Sequence, residues 1–162
     1  MSDERSKEAT GEAVPAASAA VTPDIDEAER HCGFIAIIGA PNAGKSTLVN
    51  QFVGAKVSIV SHKVQTTRVP VRGIAIAGAS QLVFNDTPGI FDPKKRLDRA
   101  MVDAAWGGAG DADIVALLVD AQKGIQPDVE RILSRLTETK RSAILVLNKV
   151  DRVGDKAKLL AL

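Results

Sequence analysis

Eight consecutive residues of this chain have the types and the spacing of a phosphate-binding loop. They fit the pattern G-x-x-x-x-G-K-[ST] and read Gly39-Ala40-Pro41-Asn42-Ala43-Gly44-Lys45-Ser46. Glycines in such a loop let successive backbone N–H groups turn toward phosphate oxygens, and a following helix adds the partial positive charge of its N-terminus. We expect Lys45 to reach the outer phosphates, Ser46 to bind Mg2+, and the adjoining Thr47 to contact the nucleotide as well.

A second short motif stands at the end of another apolar run and reads Asp86-Thr87-Pro88-Gly89. A carboxylate at the tip of a strand can hold Mg2+, usually through a water molecule, and the Gly89 N–H can bond a γ-phosphate. The same residues could also form an ordinary turn. Their place after a phosphate loop favours the nucleotide-binding interpretation, in which they and the following Ile90 form a loop that can change shape.

A third motif follows the apolar run 143–147 and reads Asn148-Lys149-Val150-Asp151. The Asp151 carboxylate could accept hydrogen bonds from both the N1–H and the exocyclic amine of guanine, which adenine cannot match. Sites built this way discriminate by roughly 10⁴ or more, because the wrong base leaves a buried acceptor unpaired. We expect Asn148 to contact another base edge and the Lys149 stem to pack along the ring and sugar. Alone the tetrapeptide could be a solvated loop; together the three motifs predict a guanine-nucleotide site.

The segment 58–72 lies between the first two motifs and contains Gln65-Thr66-Thr67-Arg68. We expect this segment to sense the γ-phosphate, because a threonine hydroxyl there could complete the Mg2+ shell in the triphosphate state. Thr67 is the preferred candidate and Thr66 the alternative. The predicted metal ligands are therefore Ser46, Thr67 and Asp86.

Strands and helices must bring these motifs to one edge of a sheet. Residues 34–38 form an apolar run before the phosphate loop, and the apolar spacing after Ser46 predicts a helix. Runs at 69–77 and 81–85, separated by turn-forming residues, predict an antiparallel hairpin. The continuous apolar runs 114–119 and 143–147 are typical of parallel strands buried on both faces.

Two further helices are predicted between these runs. One covers 97–105, with Met101 and Ala104 facing inward and Trp106 closing its end before two glycines. The other begins at Pro127 and has an inward face made of Val129, Ile132, Leu133 and Leu136. The alternation predicts an α/β fold of the P-loop NTPase type: three layers around a mainly parallel sheet with one antiparallel edge strand.

Length and composition limit the domain organisation. With 162 residues, 45% of them hydrophobic, the chain can form one domain with a core. The single cysteine, Cys32, excludes an internal disulfide framework, and we treat it and His31 as bystanders rather than metal ligands. Residues 1–30 are acidic, alanine-rich and poor in large apolar residues, which predicts a disordered tail before a domain at 31–162. No apolar run is long enough to span a membrane.

From about Gly33 to Asp151 the chain resembles the Era-type GTPases of bacterial ribosome assembly. Besides the three motifs, the resemblance rests on Gln65-Thr66-Thr67-Arg68 and on Pro88-Gly89-Ile90-Phe91-Asp92-Pro93-Lys94. It implies GTP hydrolysis with Mg2+, and a monomeric cytoplasmic protein that can associate peripherally with the inner face of the cell membrane. It also implies a C-terminal RNA-binding domain of the KH type that contacts small-subunit ribosomal RNA and the 30S subunit. Because the chain ends at Leu162, before the fold's last strand and helix and before any KH domain, we expect it to be a fragment.

Within that resemblance the expected catalytic groups are Lys45, the Gly89 N–H and Asn42. In similar GTPases an asparagine at the Asn42 position helps to hold a potassium ion, which takes the place of an arginine finger. Ile90 stands where Ras-like enzymes carry a water-orienting glutamine, so slow intrinsic turnover is expected. Three alternatives stay open: a nucleotide-gated RNA- or membrane-binding module with incidental hydrolysis, a fragment without activity, and an ATP-dependent kinase.

Overall fold

The computed structural model describes residues 30–60 and 67–161, in which five strands alternate with three α-helices. The strands are β1 (His31–Ile38), β2 (Val71–Ala77), β3 (Ser80–Asp86), β4 (Ile114–Asp120) and β5 (Ile144–Asn148). The helices are α1 (Lys45–Val53), α2 (Arg96–Gly110) and α3 (Pro127–Glu138), and short 3-10 turns follow β5 at Val150–Arg152 and Lys156–Ala161. The predicted acidic tail, apart from Arg30, and the alternative ligand Thr66 lie outside the described residues.

The strands form one sheet in the order β2-β3-β1-β4-β5. β1 pairs in parallel with both β3 and β4, and β4 pairs in parallel with β5, whereas β2 is antiparallel to β3 at the edge. The predicted fold class is thereby confirmed. Because the parallel strands all point the same way, the loops that follow β1, β3, β4 and β5 meet at one edge of the sheet.

Side chains of the central strands β1 and β4 alternate between two apolar layers. On one face α2 and α3 cover a core that includes Ile38, Leu117 and Ile132, all of them fully buried. On the other face α1 packs its buried Val49 against Ile37 and its strand neighbours. This alternation fixes the strand register, since a shift of one residue would turn each apolar set to the wrong layer.

Helix α2 is longer than its sequence predicts. The expected end at residue 105 is wrong, because the helix continues through Trp106 and the next two glycines to Gly110. Ala105 is fully buried and Ala109 nearly so, whereas Ala104 is half-buried, so packing against the sheet outweighs the low helix propensity of glycine. Trp106 does pack against the core as expected, but from within the helix.

Strand β5 is also less buried than its apolar sequence suggests. Ile144 is 57% exposed and Leu145 is 47% exposed, so the expectation of burial on both faces is wrong. The reason is positional, because β5 is the edge strand of the described sheet. On α3 the predicted inward face is right for its other three members, but Leu133 is exposed.

Polar and strained positions cluster at the carboxyl edge of the sheet, away from these apolar layers. Within residues 30–60 and 67–161, three residues other than glycine have positive φ, and two of them, Asn42 and Lys149, lie in loops at that edge. In the part of the chain that the structure describes, no helix combines the length and apolar character needed to cross a membrane.

Candidate functional site

The phosphate loop follows β1 and curls around its own lysine. The Lys45 ammonium is buried and donates hydrogen bonds to the carbonyl oxygens of Gly39 at 3.1 Å and Ala40 at 3.0 Å. Gly44 adopts a left-handed conformation with φ of 106° directly before α1 begins. The loop is therefore already closed around a cation, and the N-terminus of α1 faces the same space.

The Lys45 ammonium is costly to bury. Desolvation lowers the pKa of Lys45 from 10.5 to about 8, although the negative charge of Asp86 opposes that shift. A bound phosphate would add further negative charge beside the ammonium and would stabilise its protonated form. The site is thus electrostatically prepared for an anion.

Three oxygen-bearing side chains from distant parts of the sequence meet beside this loop. The Ser46 and Thr67 hydroxyl oxygens are 3.1 Å apart, and the Thr67 hydroxyl donates to Oδ2 of Asp86 at 3.2 Å. Oδ1 of Asp86 is buried and has no hydrogen-bond partner among the described residues. Two hydroxyls and a carboxylate with an unused buried oxygen suit a hard cation such as Mg2+, which prefers oxygen ligands and is often shared with substrate phosphates.

The loop after β3 is fastened to the phosphate loop. The buried Thr87 hydroxyl donates to the carbonyl of Ile37 at 2.7 Å, and the Ile90 N–H donates to the carbonyl of Gly39 at 3.1 Å. Gly89 approaches Pro41 so closely that an added Cβ would lie 3.0 Å from its atoms. Only a glycine fits there without displacing the phosphate loop, which places the Gly89 backbone beside the phosphate site.

The loop after β5 is tied to the same phosphate loop. The Asn148 amide nitrogen donates to the carbonyl of Ala43 at 2.8 Å, and the Lys149 ammonium donates to the carbonyl of Asn42 at 2.7 Å. This bond occupies only the amide nitrogen of Asn148, and the contact of Asn148 with a base edge stays a prediction. Asp151 lies exposed in the following turn, and its carboxylate makes no hydrogen bond or ion pair with the described residues.

A cavity of about 360 Å³ collects most of these groups. Its lining includes residues of all three motifs and of the sensing segment: Pro41, Asn42, Gly44, Lys45, Ser46, Thr47, Thr67, Thr87, Gly89 and Lys149. Nine predicted site residues are not in the lining: Gly39, Ala40, Ala43, Asp86, Pro88, Ile90, Asn148, Val150 and Asp151. Ile59, Val60 and Arg152 line the cavity although the motifs do not include them. Ile59 and Val60 belong to the predicted sensing segment, whereas Arg152 carried no sequence signal beyond its place next to Asp151.

Sequence reasoning also missed Asp120, the last residue of β4. It is 7% exposed, and its Oδ2 lies 2.7 Å from the Lys149 ammonium. Burial alone would raise the pKa of Asp120, but the hydrogen bond and charge of Lys149, with backbone N–H groups of the following turn, hold that pKa below its ordinary value. The sequence did contain a signal for Asp120, because this acidic residue ends the apolar run 114–119 and therefore lies at the same sheet edge as the motifs.

The chain matches the 50S ribosome-binding GTPase family over residues 34–149. It is 65% identical to GTPase Era of Mesorhizobium japonicum over 142 residues, which are 86% of this chain and 46% of that protein. It is 67% identical to GTPase Era of Rhizobium meliloti over 121 residues, or 75% of this chain and 39% of that protein. The chain therefore spans less than half the length of these curated relatives.

Solved structures give the same result. Era in complex with MgGDPNP and nucleotides 1506–1542 of 16S ribosomal RNA superimposes with a TM-score of 0.76 at 40% identity, over 82% of this chain and 45% of that chain. An Aquifex aeolicus Era variant bound to GDP and AlF4− gives a TM-score of 0.74 at 40% identity, over 80% and 44% of the two chains. The resemblance to Era-type GTPases is confirmed, and the chain belongs to the 50S ribosome-binding GTPase family.

Proposed function

We propose that the cavity binds a guanine nucleotide with Mg2+ and that the chain hydrolyses GTP to GDP and phosphate. The observation that carries this proposal is the junction of Ser46, Thr67 and Asp86 beside the buried Lys45. Lys45, Ser46 and Thr67 line the cavity and offer a cation for phosphate and two hydroxyls. Directly behind Thr67, the buried Asp86 has a carboxylate oxygen with no hydrogen-bond partner among the described residues. The two solved relatives described above contain GDPNP with Mg2+ and GDP with AlF4−, which supports the same ligand class.

Each proposed contact follows from the position of its loop. Phosphates would be bound by the backbone of residues 39–47, by Lys45 and by the Gly89 N–H. Ser46, Thr67 and Asp86 would hold Mg2+, which neutralises charge on the phosphates when it is bound. Guanine would be bound by the loop 148–151, with Asp151 accepting from the N1–H and the exocyclic amine. The exposed carboxylate of Asp151 is free to do so without breaking a described contact.

Hydrolysis by the chain alone should be slow. Phosphoryl transfer requires an in-line water molecule and charge stabilisation, and Lys45, the loop N–H groups and the helix N-terminus supply the second requirement. Ile90 is 1% exposed and has no side-chain group that could orient water. The lack of a water-orienting side chain at position 90 also favours a second candidate function. In it, bound GTP allows the chain to bind a partner, and slow hydrolysis serves only to release that partner.

Potassium is a proposed accelerator of the reaction. Asn42 lies exposed at the mouth of the cavity with φ of 61°, and its backbone carbonyl accepts from Lys149. Its side chain is therefore available to help hold a monovalent cation near the phosphates. Equal turnover in potassium and in sodium would remove this part of the proposal.

Phosphate release from GTP and from ATP, each with Mg2+ and with a chelator, tests the enzymatic proposal. We expect release from GTP alone, dependent on Mg2+ and lost in Lys45→Met. The matched control is Lys140→Met, which changes an exposed lysine beyond the end of α3. Equal release from ATP, or release that persists in Lys45→Met, would contradict the assignment.

We further propose that the longer protein acts in assembly of the small ribosomal subunit by binding ribosomal RNA. The relative solved with a 16S RNA segment supports this role, whereas the family description names the 50S particle. Co-sedimentation of the full-length protein with purified 30S and 50S subunits, with GDP or a non-hydrolysable GTP analogue, separates the two. We expect nucleotide-dependent binding to 30S; binding to 50S alone would refute the small-subunit role.

A further inference from the structure

The Lys149 ammonium joins three parts of the fold. It donates to Oδ2 of Asp120 at 2.7 Å and to the carbonyl of Asn42 at 2.7 Å. Asp120 ends β4, Asn42 belongs to the phosphate loop, and Lys149 itself begins the turn that carries Asp151. One cation therefore connects the two loops that would contact opposite ends of a nucleotide.

Of these partners, Asp120 is the fixed one. Its Oδ1 accepts from the N–H of Gln122 at 3.1 Å, and its backbone carbonyl accepts from Lys123 and Gly124 at 3.0 Å each. β5 is held alongside, because Asp120 and Asn148 are opposite each other in the parallel ladder. The carboxylate is thus immobilised by its own strand and turn, and the flexible lysine side chain is the group that is positioned.

Lys149 needs such an anchor because its backbone is unusual. Its φ of 59° and ψ of 34° lie in the left-handed region, which side-chain-bearing residues rarely adopt without support. The reversal sends the chain into the turn Val150–Arg152, which the N–H of Arg152 closes on the Lys149 carbonyl at 3.0 Å. The direction in which Asp151 leaves the chain therefore depends on how Lys149 is held.

We propose that Asp120 is a positioning residue that, through Lys149, orients Asp151 and so sets the preference of the site for guanine. This inference rests on the proposed guanine site and adds a residue outside all three sequence motifs. A purely structural ion pair would affect folding or all nucleotides equally, whereas a positioning role predicts a selective loss. The loss falls on the contacts that Asp151 makes with the N1–H and the exocyclic amine, so a base that has both donors loses more affinity than a base that lacks the amine.

The first test compares GDP with inosine diphosphate, which lacks that amine. In Asp120→Asn, which keeps an acceptor for Gln122 but loses the charge, we expect GDP affinity to fall by roughly tenfold or more. Inosine diphosphate keeps the N1–H contact but has no amine contact to lose, so its affinity should fall by a clearly smaller factor and the ratio between the two ligands shrinks. Asp103→Asn, on the exposed side of α2, is the matched control and should leave both affinities unchanged. Equal loss for both ligands in Asp120→Asn would overturn the proposal.

The second test asks whether Asp120 acts through Lys149. If it does, Asp120→Asn should change GDP affinity by less than twofold in a Lys149→Met background, because the intermediary is already absent. If Asp120→Asn lowers GDP affinity by the same factor with and without Lys149→Met, the two residues act independently and the proposal is overturned. The double variant also leaves no unpaired ammonium, so it keeps the test available should Asp120→Asn alone unfold, which circular dichroism would reveal.

Nucleotide affinities of the wild-type chain show whether a negative result concerns the role of Asp120 or the proposed guanine site on which that role rests. If wild type binds GDP no better than ADP, both the guanine site and the role of Asp120 are refuted. If wild type prefers GDP and Asp120→Asn keeps the full preference over inosine diphosphate, only the role of Asp120 is refuted.

Discussion

The side-chain amide of Asn148 donates a 2.8 Å hydrogen bond to the backbone carbonyl of Ala43. These residues are far apart in sequence, yet the bond ties the loop after β5 to the phosphate loop after β1. Gly44 makes the contact possible, because a Cβ added there would collide with the Asn148 amide nitrogen. This bond therefore fixes the distance between the proposed phosphate-binding loop and the proposed base-binding loop.

Gly44→Ala should damage both stability and binding. The alanine would have to adopt φ of 106° and displace Asn148, so we expect a loss of about 1–3 kcal/mol in the free energy of unfolding. GDP affinity should fall by at least roughly tenfold. Gly107→Ala is the matched control, since an added Cβ there meets nothing within 4 Å and should be neutral or stabilise α2 by about 0.5–1 kcal/mol. Thermal unfolding and GDP titration measure both effects; an unaltered Gly44→Ala would show that the loops are not coupled here.

Nucleotide affinity should depend on the protonation of Lys45. Its pKa is lowered to about 8 in the nucleotide-free site, so above that pH the ammonium that phosphate requires is lost. Apparent GDP affinity should then fall by roughly tenfold for each further pH unit. GDP titrations from pH 7 to pH 9 check this. Lys45→Arg, which stays charged, should bind more weakly but with a flat profile, and a parallel decline in that variant would rule out Lys45 as the titrating group.

The same shift has an opposite consequence for folding. Lys45 binds its proton more tightly in the unfolded chain, whose ordinary pKa is 10.5, than in the folded one. Between about pH 8 and 10.5 the unfolded state therefore holds more protons, and this residue's contribution to stability rises with pH. The free energy of unfolding, measured with denaturant at several pH values in this range, should therefore rise more steeply with pH for wild type than for Lys45→Met. The same dependence of the free energy of unfolding on pH in both proteins would mean that Lys45 is not desolvated in the folded chain.

Thr67→Ala should weaken the discrimination between triphosphate and diphosphate. Its hydroxyl lies between Ser46 and Asp86, where it could report on a γ-phosphate through Mg2+. We expect GDPNP affinity in Mg2+ to fall by roughly tenfold with little change for GDP. With a chelator, wild type and variant should converge. Thr137→Ala, whose hydroxyl bonds only within α3, is the control, and equal losses for both nucleotides in Thr67→Ala would argue against the sensing role.

Arg135→Ala should destabilise the fold by about 0.5–1 kcal/mol. The Arg135 guanidinium lies 4.6 Å from the centre of the Trp106 ring, in a cation–π contact between α3 and α2. Trp106 is the sole tryptophan of the sequence, so its fluorescence follows denaturant unfolding directly. Arg131→Ala removes an exposed arginine with surface ion pairs and should cost less. A larger effect for Arg131→Ala would reverse this order.

The parts of the fold that sequence predicts well are those whose signal is local. The run before Gly39 predicts β1, and Pro127 opens α3 as expected because its fixed φ suits the first helical turn. The second strand begins at Val71 rather than at residue 69, since Pro70 has no N–H for the ladder. Where local chemistry suffices, the predicted bounds of a strand or helix lie close to the observed ones.

The remaining features depend on neighbours that sequence does not reveal. Two glycines after Trp106 look like a helix end, yet contacts of Ala105 and Ala109 with the core carry α2 past them. The apolar run in β5 looks fully buried, but the strand lies at an edge. Asp120 is invisible to motif reasoning, because its partner Lys149 is brought to it only by the pairing of β4 with β5.

Calorimetric titration of the purified chain with GDP and with ADP, both in Mg2+, tests the central claim most directly. We expect GDP to bind at least roughly 10³-fold more tightly than ADP, because Asp151 can pair with two donors of guanine and with none of adenine. Indistinguishable affinities for the two diphosphates would contradict it.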